Sequence, residues 1–143
     1  FYSLGLMRYE FAEDLQKKAE EICKLIFPHV DITRIKCFRS YGTSSRGTIA
    51  RCHSLEKLLQ RALGIRPFDG LEFLSERFDK LGEEDKIRII IHELMHIPNG
   101  FGGGFKHHDF VTDRNIKKLH QLYLEKTKKE GDKSGEKKSW FGL

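Results

Sequence analysis

A helix through residues 87–97 would carry Ile87, Ile89, Ile90, Ile91, Leu94, Met95 and Ile97, and would be apolar on nearly every side. Such a helix has to be buried, so the rest of the chain must fold around it. The spacing predicts that it runs over residues 84–97. Glu83-Glu84-Asp85 favours its N-terminus through the helix dipole, and Pro98-Asn99-Gly100 stops it.

This helix carries His92-Glu93-Leu94-Met95-His96, a His-Glu-x-x-His motif. Residues four apart lie on one helical face, so both imidazoles can reach one metal ion. Glu93 stands beside the first of them and can reach the water that a metal polarises. It can take that water's proton and later return it to a leaving amine. Zinc suits this at neutral pH, because it lowers the pKa of water to about 7. The plainer reading is two histidines at a helix end, bonded to backbone. It fits poorly, because the histidines fall where the core face should be.

A catalytic zinc needs a third protein ligand and an open position. After a Gly102-Gly103-Gly104 loop come His107, His108 and Asp109, and Asp113 follows. Either histidine fits as the third ligand. Asp109 or Asp113 fits as ligand or as acceptor for an imidazole N–H. The metzincin spacing would need Gly three and His six residues after the second histidine. Asn99 and Gly102 stand there, so that class is excluded.

Elsewhere the periodicity predicts a helix over residues 9–27 and two short strands, 32–40 and 48–52, joined as a β-hairpin by the turn cluster 42–47. Ser54 would cap a helix over 55–63 with Leu55, Leu58, Leu59 and Ala62 on one face, stopped by Gly64. An extended segment follows at 70–75, then a short link around Phe78 and Leu81. A last helix runs over 109–126, with Phe110, Ile116, Leu119 and Tyr123 inward. The whole is an α+β chain with one catalytic domain, 1–126, and a Lys-rich flexible tail, 127–143, ending in the aromatic pair Trp140-Phe141.

The chain's 143 residues suffice for one core but not two. A mean hydropathy of −0.52 and the lack of any long apolar run exclude a membrane span. Residues 1–8 lack the apolar core of a secretory signal, and three cysteines are too few for a disulfide scaffold, so a cytoplasmic setting is expected. The net charge of +5 permits a nucleic-acid partner only weakly, since +2 of it belongs to residues 127–143.

Residues 91–98 and 102–108, with the segments 72–81 and 49–52, resemble the archaeal and phage metallopeptidases, a small SprT-like branch of the zincins. The resemblance covers about residues 35–113. It implies a minimal zincin domain in which a small, mostly antiparallel sheet packs on helices that include the active one. It implies Zn2+ held by His92, His96 and a histidine after the glycine loop, with Glu93 as general base. In the family pattern that histidine follows an Arg-Pro-like step. Lys106-His107 occupies the step here, which points to His108, with His107 as the alternative. The resemblance also makes 71–75 an edge strand that pairs with an extended peptide substrate, with Glu72 and Phe73 flanking the cleft.

The expected activity is therefore zinc-dependent hydrolysis of peptide bonds. Tyr123, Tyr41 and His120 are candidates to stabilise the oxyanion. Two alternatives stand beside it. One is a DNA-associated, SprT-like protease, motivated by Arg34, Lys36, Arg39, Arg46 and Arg51 among Phe38 and Tyr41. The other is a non-catalytic, zinc-stabilised interaction module.

Overall fold

The computed structural model describes residues 6–97 and 112–134. Strand β1 (Arg8–Phe11) leads directly into helix α1 (Glu13–Ile26). A single 3-10 turn, Ile32–Arg34, then precedes β2 (Ile35–Tyr41). Next come β3 (Ala50–Ser54), α2 (Lys57–Leu63), β4 (Asp69–Leu74), the short α3 (Ser75–Phe78), α4 (Glu83–Met95) and α5 (Asp113–Ser134).

The four strands form one mixed sheet in the order β1-β2-β4-β3. β1 pairs antiparallel with β2, β2 parallel with β4, and β4 antiparallel with β3. The α+β class and the predominance of antiparallel pairs agree with the expectation. The hairpin does not: β2 and β3 are separated by β4. The composition of β4 explains this. Asp-Gly-Leu-Glu-Phe-Leu is buried along nearly its whole length, as an interior strand paired on both sides must be. Ala-Arg-Cys-His-Ser in β3 is only half-buried, as suits an outer strand.

One face of the sheet carries Ile35, Cys37, Leu71 and Phe73, which join Leu15, Ala19 and Ile22 of α1 and Ile90, Ile91 and Leu94 of α4 in a single core. The alternation of β4 puts Glu72 on the other face. α1 is pinned to β2 by Gln16, whose amide donates to Ile35 O at 3.0 Å and accepts from Cys37 N at 2.8 Å. Arg39 grips the start of α1 in a bidentate pair with Asp14 at 2.7 and 2.9 Å, and reaches Asp79 at 3.1 Å.

Three helix boundaries differ from the sequence reading. Residues 9–11 are strand, and the helix starts only after Ala12, whose N–H donates to Cys37 O. Ser54 closes β3 and does not cap α2, whose N-cap is Glu56. α2 stops as expected at Gly64, which adopts φ 66°. α5 continues to Ser134, past the point at which the tail was expected to begin. Its Lys and Glu residues are good helix formers, and Lys126 Nζ ties the helix to Leu25 O at 2.8 Å. No helix among the described residues is long and apolar enough to cross a membrane.

Candidate metal centre

α4 is buried through Ile90, Ile91, Leu94 and Met95, and this fixes which way its polar residues point. His92 and His96 lie one turn apart with ring centroids 5.0 Å from each other. Both are half-buried. Partial desolvation holds the His92 pKa below its usual value, and the Asp113 carboxylate on α5 partly counters this. A neutral imidazole is the form that binds a metal.

Glu93 points to the sheet side and is buried. Desolvation alone pushes its carboxyl up to about 7. Its charge is felt by Cys52 on β3, so the outer strand lies beside this part of α4. A carboxyl with a pKa near neutrality is suited to accept and release a proton at the operating pH.

The donor set therefore fits a metal ion as far as the described residues reach. Two imidazoles share a face, with a buried carboxyl between them in sequence. Asp113 acts on His92 electrostatically, but among the described residues no group of three His, Cys, Asp or Glu side chains is arranged around one point. His107, His108 and Asp109, the other candidates, lie outside the described residues.

The structure corrects the substrate-strand expectation. Residues 71–74 belong to an interior strand, and Phe73 and Glu72 are both buried. Phe73 packs in the core against Phe78, with centroids 4.9 Å apart. Glu72 sits on the far face, where it accepts from Ser40 Oγ at 2.6 Å and Arg51 Nε at 3.1 Å and meets His53 Nε2 at 2.7 Å. Neither flanks a cleft beside α4. Of the sheet's two outer strands, β1 and β3, it is β3 that lies beside Glu93, and no described strand covers its outer side. Its signal in the sequence is the polar Arg51 and His53 alternating with Ala50 and Cys52, against the nearly continuous burial of β4.

Two of the oxyanion candidates are engaged elsewhere. The Tyr123 hydroxyl donates to Glu21 on α1 at 3.2 Å and is buried there. Tyr41 lies under the Arg8 guanidinium at the β1–β2 edge. His120 is buried, with Nδ1 accepting from Arg88 Nε at 3.2 Å, a turn of α4 away from His92. The basic residues of β2 and β3 are also partly spent: Arg39 is paired with Asp14 and Asp79, and Arg51 with Glu72. Two surface cavities lie away from the motif. One of about 480 Å³ is lined by the end of α1, by Pro28, Val30 and Ile32 after it and by Glu130 of α5, and one of about 320 Å³ lies on the far face of the sheet.

No curated protein and no solved structure matches the chain. A family profile does, over residues 7–134, a span that takes in the sheet, the buried His-Glu-x-x-His helix and the helix packed behind it. The chain belongs to the family described as "Putative phage metallopeptidase".

Proposed function

We propose that the protein is a zinc-dependent metallopeptidase in which His92 and His96 hold the metal, His108 completes the set, with His107 the alternative, and Glu93 is the general base. The observation that carries this reading is the pair of imidazoles 5.0 Å apart on one face of a buried helix, next to a carboxyl raised to about 7. Zinc, when bound, supplies the Lewis acidity that polarises water and the peptide carbonyl. Glu93 accepts the proton of the attacking water and delivers it to the departing amine nitrogen. Burial keeps this carboxyl close to the pKa at which both transfers are easy. Asp113, whose charge acts on His92, is the candidate to accept that imidazole's free N–H once a metal has taken the place of its other proton. The outer side of β3, beside Glu93 and paired with no described strand, can offer backbone N–H and C=O groups to an extended peptide.

Metal content by elemental analysis tests the ligand set. Wild type should hold one zinc, and His92→Ala, His96→Ala and His108→Ala should each lose it. Retention in both His107→Ala and His108→Ala would remove the third ligand from this scheme. Glu93→Gln should keep the zinc and lose hydrolysis of an unfolded protein. Full activity in that variant would refute the role given to Glu93.

A further inference from the structure

Helix α2 is anomalous in this fold. None of its residues is buried. Leu58 is 76% exposed, Leu63 63% and the following Ile65 50%. Four large apolar side chains, counting Leu59, thus stand in water on a helix of seven residues and the turn after it. Scattered exposed leucines need no explanation, but a cluster on one short element marks an interaction site. Three exposed cations stand around it, Lys57 and Arg61 on the helix and Arg66 just beyond, against the exposed N-cap carboxylate Glu56 and Asp31, which feels Arg66.

The position of the cluster matters as much as its composition. β3 is the outer strand and runs straight into α2, and Leu55 N bonds Phe68 O to close the loop at that end of the sheet. Lys57 follows Cys52, the β3 residue that feels Glu93, after no more than about 17 Å of chain. A peptide laid along the outer edge of β3 toward Ser54 runs toward the end of the sheet from which the chain passes into α2.

We infer that α2 is a substrate-docking site, continuous with the free edge of β3, that recognises extended polypeptide in which apolar residues alternate with acidic ones. The leucines and Ile65 take the apolar side chains, and Lys57, Arg61 and Arg66 take the carboxylates. The strand edge, paired with no described strand, selects an unfolded segment over a folded one, because only an extended backbone can pair with it. This deepens the metallopeptidase reading by naming the substrate class, and it rests on that reading for the chemistry that follows docking.

The zinc-loaded full chain is titrated into two labelled twelve-residue peptides, one alternating leucine with glutamate and one alternating leucine with lysine, followed by fluorescence anisotropy. The glutamate peptide should bind at least tenfold more tightly. Leu58→Ser with Leu63→Ser, and separately Lys57→Glu with Arg61→Glu, should each weaken it at least fivefold. These side chains are exposed, so circular dichroism and thermal midpoint should stay at wild-type values. In cleavage of an acidic unfolded protein the same variants should raise KM and leave kcat, with no change for a peptide too short to reach α2. Equal binding of the two peptides, or binding unchanged in both variants, overturns the inference. So does a dimer in sedimentation that the serine variants dissolve, since the face would then serve a second copy of the chain. If docking behaves as expected while wild type cleaves nothing, the peptidase reading fails and the docking site stands. Cleavage with no effect of the α2 variants is the reverse.

Discussion

Replacing Glu72 by alanine removes a carboxylate that is 3% exposed and engaged by three partners. The partners are not equal. Ser40 is fully buried, and its 2.6 Å bond to the carboxylate has no solvent to replace it. Losing a hydrogen bond to a charged group in that setting costs about 1.5–3 kcal/mol. The Arg51 and His53 side chains are 38% and 58% exposed, so water recovers most of what they lose, and each adds at most about 1 kcal/mol. Glu72→Ala should therefore cost about 2–4 kcal/mol. Glu72→Gln should cost about 1–2 kcal/mol, because the amide still accepts from Ser40. Urea unfolding measures both, and a loss below about 1 kcal/mol for alanine would refute the reasoning. The acid limb supplies a second check. Burial pushes the Glu72 pKa up, but the bonds from Ser40, His53 and Arg51 outweigh it and leave the carboxyl below its ordinary 4.5. Its contribution is then fully present above 4.5 and is lost as pH falls through the lower folded value. Glu72→Gln should lack that part of the acid transition. Because Glu72 faces away from α4, neither variant should change KM for a short peptide.

Other outcomes follow from the same geometry. Glu93 is raised by burial from 4.5 to about 7, so it destabilises the chelated, metal-free protein as pH rises through that interval, by about 3 kcal/mol in full. Glu93→Gln in chelator should flatten this slope in urea titrations between pH 4.5 and 7.5, and an unchanged slope would mean that the carboxyl is hydrated. Phe78→Ala, in contact with Phe73 and fully buried, should cost about 3–5 kcal/mol by calorimetry, and a loss under about 1.5 kcal/mol would show that the site collapses around the cavity. The bidentate Arg39–Asp14 pair is half-buried and should show a coupling of about 1 kcal/mol in a double-mutant cycle, which Arg39→Lys should not reproduce because an ammonium lacks the fork. A cycle that sums to zero would make the pair a surface contact only.

The helix over residues 84–97 was legible in the sequence because its apolar residues, its acidic start and its Pro-Gly stop all act within the element. So was the placing of His92 and His96 on one face, a consequence of helical pitch alone. The Gly64 stop is equally local. What went unread depends on partners distant in sequence. β4 enters between β2 and β3 because its two faces are both covered, Leu71 and Phe73 by the helices and Glu72 by Ser40, Arg51 and His53, and no local pattern announces such a covering. Residues 9–11 are as compatible with helix as with strand until β2 lies alongside. The leucines of α2 have the spacing of a core face, but the nearby core is already filled by α1, α4 and the sheet, so they stay in water. Sequence alone determined that His92 and His96 share a face beside Glu93, because the spacing of side chains along one helix is set by its pitch. The tertiary structure decided that the pKa of Glu93 is raised and that β3, an outer strand among those described, lies beside it, because desolvation and pairing are properties of what packs around a residue.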